Sequence, residues 1–384
     1  MSETVTNEAP SGVAAPAGLA IGEPAPWFTA RSTANPRFVF HTTAGRYVAL
    51  GFFGSAGHAV ALAALAEVAQ RRAMFDDIKA SVFGVSADPA DETDNPVASS
   101  LPGFCWFWDF DLAVSSLYGA APRDPAAGPV AYRSFWLVLD PQLRCVLRAP
   151  ITETAAVLDF IAAAPAPADH AGVALHAPVL ILPRVFEPEF CRRLIDTYEA
   201  AGGQPSGFMR DIDGRTRLIL DPNHKQRSDH DLVDPELRAA AARRIRNRLV
   251  PEVAKAFQFQ ATRMERYLVG CYDAAEGGHF RAHRDNTTAG TAHRRFAVTI
   301  NLNAEDYDGG DLSFPEFGPR HYRAPTGGAV VFSCSLLHRV DPIVRGRRFA
   351  FLPFLYDDAA AKEREARNAE LGDELKPYVA SAPG

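Results

Sequence analysis

A proline- and alanine-rich stretch divides this chain. Residues 162–172 read AAAPAPADHAG. Alternating Pro and Ala can neither continue a helix nor fill a central strand, because proline has no backbone N–H. The charge balance changes at the same place: residues 1–165 hold 10 basic and 16 acidic residues, and the rest of the chain holds 30 of each. Since 384 residues leave room for about two domains, we expect the domain boundary here.

The composition limits the class of protein. A hydrophobic content of 47% with 22% charged residues is typical of globular chains and excludes fibrous and disordered ones. No apolar run approaches the roughly 18 residues of a membrane span, and the first residues lack the features of a secretory signal. The five cysteines form no CxxC pair, so we expect reduced thiols and a cytoplasmic protein without membrane contact. Neither half is basic, which argues against a nucleic-acid partner.

Strand and helix patterns alternate before the proline-rich stretch. Buried-strand patterns are YVALGFF, SVFGV and SFWLVLD, and helical periodicity appears in HAVALAALAEVAQRRAMF and DLAVSSLYG. Such alternation indicates an α/β sandwich. We expect a flexible lead-in over residues 1–20, this domain over 21–165 and a linker over 166–173.

After the linker, helices precede strands. Helices are predicted after Glu187-Pro188 and after Asp234-Pro235, the second with a kink or break at Pro251. Short strands follow, and Asp308-Gly309-Gly310-Asp311 is interpreted as a hairpin turn. The strand segments read RYLVGCY, RFAVTINLN, GDLSF, GAVVFSC and RFAFLPFLY. The pattern predicts a β core behind a helical layer over residues 174–358, then a C-terminal helix and tail over 359–384.

The triplet His283-Arg284-Asp285 is a candidate metal-binding motif. In an extended strand, side chains two residues apart point to the same face, so His283 and Asp285 can reach one ion. His338 lies 55 residues further on, after the strand GAVVFSC. Two imidazoles and one carboxylate that leave three positions open form the facial triad of non-heme Fe(II) oxygenases. An HxD triplet alone is common on protein surfaces. We therefore interpret His283, Asp285 and His338 together as the metal ligands and the catalytic centre.

Arg348 is a candidate for binding a co-substrate. It opens the apolar segment RFAFLPFLY, which favours an inward side chain, whereas Arg345 and Arg347 are expected to face solvent. A co-substrate that chelates iron through a 2-oxo acid needs a cation for its remote carboxylate. The planar guanidinium offers two parallel donors for that purpose.

Four motifs then follow one another over residues 266–357. They are GCYDAAEGGHFRAHRD, FAVTINLN, YDGGDLSFPEFG and GGAVVFSCSLLHRVDPIVRGRRFAF. In this order they resemble the prolyl-4-hydroxylase-like branch of the Fe(II)/2-oxoglutarate-dependent dioxygenases. The resemblance implies an α+β double-stranded β-helix, or jelly roll, with supporting helices. It also implies that His283, Asp285 and His338 hold Fe(II) and that Arg348 and Tyr272 bind 2-oxoglutarate.

The same resemblance implies a reaction. A C–H bond would be hydroxylated with O2 as co-substrate, while 2-oxoglutarate is oxidatively decarboxylated to succinate and CO2. Ascorbate commonly keeps such iron reduced. The sequence does not name the substrate, which is a small molecule or a protein side chain. A non-catalytic protein that responds to iron or 2-oxoglutarate is the alternative from another functional class.

The first domain resembles the peroxiredoxin group of thioredoxin-like folds over residues 21–165. The similar segments are PAPWF, VFGVSADP, DFDLAVSSLYG and Arg133 ahead of an apolar strand. In that family a reactive cysteine begins the helix after the YVALGFF-type strand, but here GFFGSAGHAVAL has none. Cys105, in GFCWFWDF, is expected to be a buried thiol. A thiol peroxidase is therefore disfavoured, and we expect a non-catalytic domain that serves homo-oligomerisation or substrate docking.

Overall fold

A computed structural model describes residues 18–33, 35–93, 102–123 and 130–380. The chain splits into two compact units, Met1–Val173 and Ala174–Gly384. Most of the lead-in predicted over residues 1–20 lies outside the described residues. Each unit has its own hydrophobic core.

The first unit is built on one mixed sheet. Its strands are β1 (Thr29–Ser32), β2 (Phe38–Val39), β3 (Tyr47–Gly54), β4 (Ala80–Ser86), β5 (Phe104–Trp108), β6 (Phe135–Leu139) and β7 (Cys145–Pro150). Its helices are α1 (Ala59–Gln70), α2 (Ala90–Thr93), α3 (Ala113–Leu117) and α4 (Thr154–Ala163). The strand order is β2-β1-β5-β4-β3-β6-β7, with β3, β4 and β5 parallel and β6 and β7 antiparallel. This arrangement confirms the predicted thioredoxin-like α/β sandwich.

Two glycines make room for two tryptophans in the core of this sheet. Trp106 and Trp136 are fully buried. A Cβ atom at Gly84 would stand 2.5 Å from the Trp106 ring, and one at Gly51 would stand 2.6 Å from the Trp136 ring. Both distances are far below van der Waals contact, so the indoles can pack against the central strands only where the side chain is missing.

The loop before α1 is held by two carboxylates that follow β4. Ser55 Oγ donates to Asp88 Oδ2 at 2.7 Å, and the buried Asp91 accepts from the Ala56 amide at 2.7 Å. Cys105 lies in β5 and is 3% exposed, as the sequence predicts. The loop therefore presents no thiol at the position where a peroxiredoxin-type nucleophile would stand.

The second unit contains most of the strands. They are β8 (Leu180–Leu182), β9 (Gln204–Pro205), β10 (Phe208–Ile212), β11 (Arg215–Ile219), β12 (Lys225–Gln226), β13 (Ser228–Asp231), β14 (Arg263–Glu265), β15 (Leu268–Asp273), β16 (His279–His283), β17 (Phe296–Asn301), β18 (Asp308–Gly309), β19 (Leu312–Ser313), β20 (His321–Tyr322), β21 (Ala329–Ser333), β22 (His338–Val340), β23 (Ile343–Arg345), β24 (Arg347–Phe351) and β25 (Phe354–Tyr356). Its helices are α5 (Pro188–Ala201), α6 (Pro235–Arg244), α7 (Val250–Phe257) and α8 (Asp358–Ala366).

Two main sheets form the core of this unit. One has the order β12-β16-β22-β19-β20, and the other has the order β14-β25-β17-β24-β15-β13-β9, with β21 pairing β17 and β8 pairing β21. All these pairs are antiparallel. Side chains of α5 and α6 pack with those of the larger sheet in one cluster. The predicted double-stranded β-helix with supporting helices is confirmed.

Several local expectations need correction. The segment RFAFLPFLY forms two strands, because Pro353 cannot donate a ladder hydrogen bond. Pro251 does not break its helix: it lies in the first turn of α7, directly after a π-helical turn at Ile245–Leu249. Asp308–Gly309 pairs with β23, with an irregular register, so the Gly-Gly pair makes a kinked strand rather than a hairpin turn.

A hairpin that the strand patterns did not reveal joins β10 to β11. Its two-residue turn is Asp213-Gly214, with φ values of 50° and 74°. Positive φ at both central positions is the geometry of a type I′ turn, which matches the twist of the flanking strands.

No helix among the described residues is long and apolar enough to cross a membrane.

Candidate metal centre

His283, Asp285 and His338 form one cluster in the second unit. His283 ends β16 and lies directly opposite His338, which begins β22. Asp285 Oδ1 is 3.6 Å from His283 Nε2, and Asp285 Oδ2 is 3.4 Å from His338 Nε2. One ligand atom from each residue lies within 4.8 Å of the others. Ligands about 2.1 Å from an ion in adjacent octahedral positions stand about 3 Å apart, so the spacing suits one metal ion.

The backbone around this cluster differs from the extended strand that the sequence predicts. Strand β16 ends at His283, and Asp285 lies in the following turn, where its amide donates to the Cys334 carbonyl at 2.9 Å. The register of β16 against β22 shifts between Phe280 and His283. Such a bulge redirects side chains, and as a result both Phe280 and His283 line the same pocket.

Backbone carbonyls fix the orientation of both imidazoles. His283 Nδ1 lies 2.8 Å from the Arg281 carbonyl, and His338 Nδ1 lies 3.0 Å from the Leu336 carbonyl. A carbonyl oxygen can only accept, so each Nδ1 carries the proton and donates it. Each Nε2 therefore keeps its lone pair on the side of Asp285, as metal coordination requires.

Burial and charge favour the metal-binding protonation states. Burial, followed by the charge of His283, lowers the pKa of His338 to about 4. Burial opposes ionisation of Asp285, but the imidazoles of His338 and His283 outweigh it and hold the pKa of this carboxyl below its ordinary range. At neutral pH His338 is thus a neutral imidazole and Asp285 a carboxylate, which are the forms that bind metals.

Arg348 lies in the same pocket as the cluster. It belongs to β24 and is 2% exposed. Its Nη2 donates to Thr299 Oγ1 at 2.9 Å, but Nε and Nη1 have no hydrogen-bond partner among the described residues. Buried charged donors without acceptors are costly, so these two nitrogens are suited to a carboxylate ligand. Arg345 and Arg347 are exposed and pair with Asp308 and Glu199, so the predicted direction of all three arginines is confirmed.

Tyr272 lines the pocket beside Arg348. The two residues are opposite each other on β15 and β24, and the Tyr272 side chain is buried. Its hydroxyl accepts a hydrogen bond from Arg227 Nη1 at 3.3 Å. Phe280, Leu312, Phe332, Val340 and Phe354 complete the apolar part of the pocket wall.

The sequence reasoning missed two pocket arginines, Arg227 and Arg266. Arg227 is buried and forms a two-point ion pair with Asp229, with Nε–Oδ1 at 2.6 Å and Nη2–Oδ2 at 2.7 Å. Arg266 Nη2 lies 3.4 Å from the same carboxylate, and burial followed by the charge of Arg227 lowers the pKa of Arg266 to about 10. Arg266 also has a φ of 67°, a strained value for a residue other than glycine. In the sequence, Arg227 and Asp229 are two residues apart, and this spacing does not distinguish a pocket ion pair from a surface ion pair.

Two residues near the metal-binding motifs, His279 and Cys334, lie outside the cluster. The ring nitrogens of His279 contact the carbonyls of Gly277 and Asn223 at 2.8 and 3.3 Å, close to the surface. Cys334 is fully buried, and burial raises the pKa of its thiol well above the ordinary range. It packs as a small apolar residue.

Comparison with known proteins identifies this region. Residues 267–356 match the family model of the 2OG-Fe(II) oxygenase superfamily, where 2OG stands for 2-oxoglutarate. This region is similar to 2OG-Fe(II) oxygenase domains. Over 89 residues the chain is 36% identical to a PKHD-type hydroxylase of Synechococcus sp., a match that covers 22% of this chain and 39% of the relative. The chain thus spans well under half the length of that relative.

Solved structures similar to each unit have low sequence identity. A Pseudomonas putida prolyl-4-hydroxylase is similar over 53% of this chain and 98% of its own, with 16% identity and a TM-score of 0.35. Xanthomonas campestris peroxiredoxin Q is similar over 35% of this chain and 90% of its own, with 18% identity and a TM-score of 0.31.

The residues present fit the groups that the oxygenase family uses, which are Fe(II), 2-oxoglutarate and O2. The three residues offer two imidazole nitrogens and one carboxylate to a cation, and Fe(II) accepts this donor set. The two unpartnered nitrogens of Arg348 lie in the same pocket and suit a carboxylate of 2-oxoglutarate.

Proposed function

We propose that the protein is an Fe(II)- and 2-oxoglutarate-dependent dioxygenase that hydroxylates a C–H bond. One observation carries the proposal: the His-Asp-His cluster shares its pocket with a buried arginine that has two unpartnered donors. The overall reaction converts substrate, 2-oxoglutarate and O2 into hydroxylated substrate, succinate and CO2. The related PKHD-type hydroxylase supports this type of reaction.

Each residue has a distinct task. His283, Asp285 and His338 would hold Fe(II), which when bound supplies O2 activation and the oxidation of the C–H bond. Arg348 binds the remote carboxylate of 2-oxoglutarate with Nε and Nη1, while Thr299 fixes its third nitrogen. The Tyr272 hydroxyl, held by Arg227, faces the same pocket and offers a further hydrogen bond to that carboxylate.

The pocket wall limits side reactions. Phe280 stacks on the His283 ring with centroids 3.5 Å apart, and Phe332 lies 4.6 Å from the His338 ring. Each of these rings covers one side of an imidazole and leaves it little contact with water. A dry site strengthens the interaction of Arg348 with a bound carboxylate.

The decisive experiment measures succinate. The full chain is incubated with Fe(II), ascorbate, 2-oxoglutarate and O2, and succinate is followed by mass spectrometry. Slow formation without added substrate is expected, at a rate that Arg348→Ala lowers and Arg347→Ala leaves unchanged. Binding of iron and 2-oxoglutarate without any succinate would instead favour a non-catalytic protein that responds to these ligands.

The first unit and the location of the protein complete the proposal. The first unit lacks the peroxiredoxin nucleophile and would contribute a surface for self-association or substrate docking. All five cysteines are buried free thiols, which supports a reducing compartment, the cytoplasm. The substrate is a small molecule or a protein side chain.

A further inference from the structure

Two arginines of the β10–β11 hairpin lie directly opposite each other. Arg210 pairs with Arg217 in the strand register. Like charges at opposite positions of a strand pair are destabilising. No carboxylate of the described residues lies within 4.0 Å of either guanidinium, whereas Arg215 on the same hairpin pairs with Asp373 at 2.9 Å. The hairpin thus holds a repulsive pair whose charge is not balanced within the described part of the chain.

Strand alternation places this pair on the hairpin face that also carries Phe208. Phe208 and Arg210 share a face because they are two residues apart. The opposite face is occupied: Thr216 Oγ1 accepts from the Gly290 amide at 2.8 Å, and Asp211 Oδ2 accepts from the Ala289 amide at 3.2 Å. The arginine face is therefore turned away from the segment that anchors the hairpin.

A chain of ring contacts leads from this face to the metal cluster. The Arg210 guanidinium carbon lies 5.2 Å from the Phe208 ring, which is 4.5 Å from the His224 ring. His224 in turn lies 6.5 Å from His283, centroid to centroid. Two rings, Phe208 and His224, therefore separate Arg210 from the metal ligand His283.

The pocket wall next to the hairpin also carries excess positive charge. Arg227 and Arg266 share one carboxylate, that of Asp229. The buried Lys225 lies beside them, and its Nζ donates to Ser206 Oγ and the Gly207 carbonyl, both at 2.6 Å. Positive charge therefore extends from the pocket wall to the hairpin.

We propose that the substrate carries a negatively charged group, which Arg210 and Arg217 bind while its reacting C–H bond lies at the metal cluster. This inference rests on the proposed function and narrows the substrate to an anion. The anionic group belongs either to a small acid or to an acidic side chain of a peptide. Two guanidinium groups on neighbouring strands offer donors from both sides, and a bound anion would relieve their repulsion.

The test measures binding of charged probes. The full chain, loaded with Fe(II) and 2-oxoglutarate without O2, is titrated with fluorescent peptides of equal length that alternate Ala with Glu, Gln or Lys. Inorganic phosphate and citrate serve as competitors. We expect the Glu peptide or the small anions to bind, with affinity that falls as salt rises.

The variants locate the site. Arg217→Ala should weaken binding of the anionic probe about tenfold, which corresponds to about 1.4 kcal/mol. Arg217→Lys should restore part of it, because the charge is kept. Arg215→Ala is the matched control. It removes a positive charge from the same hairpin, but Asp373 already balances that charge, so binding of the probe should be unchanged. The melting temperature of Arg217→Ala should not fall, because the substitution removes a repulsion.

The outcomes separate the two proposals. Glu-peptide binding that depends on Arg217 indicates a peptide substrate. Binding of phosphate or citrate that depends on Arg217, without binding of the Glu peptide, indicates a small acid. Equal affinity for the Glu and Gln peptides, together with anion binding that Arg217→Ala leaves unchanged, overturns the inference. Succinate formation by the wild type without any probe tests the proposed function separately, so either proposal can fail while the other stands.

Discussion

Tyr272 lies directly opposite Arg348 on the neighbouring strand, with its ring centre 5.2 Å from the guanidinium carbon. An aromatic face attracts a cation without using any of its N–H groups. The ring therefore helps to hold Arg348 in the pocket while Nε and Nη1 keep their donors for a ligand. In the proposed function this pair would receive a carboxylate on one sheet, and the two histidines of the metal cluster lie on the other.

His338→Ala is expected to lower Fe(II) affinity by more than about 100-fold, because two protein ligands cannot define one face of an octahedral ion. Metal titration under anaerobic conditions measures this. His279→Ala is the control, since that imidazole contacts only carbonyls near the surface. Stoichiometric iron in the His338 variant would disprove the assignment.

Arg348→Ala is expected to weaken 2-oxoglutarate binding by about 2 to 5 kcal/mol, as loss of one partner from a buried ion pair does. Iron affinity should change little, since Arg348 is not one of the clustered ligands. Calorimetric titration of 2-oxoglutarate into the iron-loaded protein gives the first affinity, and anaerobic metal titration gives the second. Arg347→Ala, which removes only an exposed pair with Glu199, should be nearly neutral; a reversed order would contradict the inward direction of Arg348.

Tyr272→Phe separates the hydroxyl from the ring. It removes the acceptor of Arg227 but keeps the contact with Arg348, so 2-oxoglutarate affinity should fall by about 0.5 to 1.5 kcal/mol. Tyr272→Leu removes both and should cost more. Equal affinities in wild type and both variants would show that Tyr272 has no part in binding the co-substrate.

Stability of the metal-free protein should decrease as the pH falls from about 6.5 to about 4. In the folded protein the pKa values of His224 and His338 lie near 4, below the ordinary value of 6.5. Between these pH values the unfolded chain binds more protons than the folded one, so protonation favours unfolding. Above about pH 6.5 these imidazoles are neutral in both states, and they no longer make the stability depend on pH. Urea unfolding at several pH values measures the slope. His224→Gln should flatten it, and an unchanged slope in that variant would contradict the burial of a neutral imidazole there.

The full chain is expected to show no thiol-dependent peroxide reduction, because Cys105 is buried and the loop before α1 carries Ser55 and Ala56 instead of a thiol. Peroxide consumption with a thiol reductant measures this. Activity that disappears in Cys105→Ser would show that the first unit is a peroxidase after all.

Strand and helix patterns predicted an α/β sandwich and a β core behind helices, and the family resemblances implied the thioredoxin-like and jelly-roll folds. The sequence also predicted which residues come together, since His283, Asp285, His338 and Arg348 stand in recognisable motifs. It missed the β10–β11 hairpin, whose charged strands lack alternation, although Asp213-Gly214 is a strong hairpin signal. The bulge at His283 and the ion pair of Arg227 arise from register and packing, which local sequence does not encode.

The burial of every cysteine has a consequence for a protein that is proposed to use O2. All five thiols lie in the described part of the chain, and each is buried. Disulfide exchange and stepwise thiol oxidation require an accessible thiolate. While the protein is folded, no thiol is therefore accessible to oxidants or to disulfide-linked dimerisation. After exposure to air, the protein should migrate as the same species on reducing and non-reducing gels.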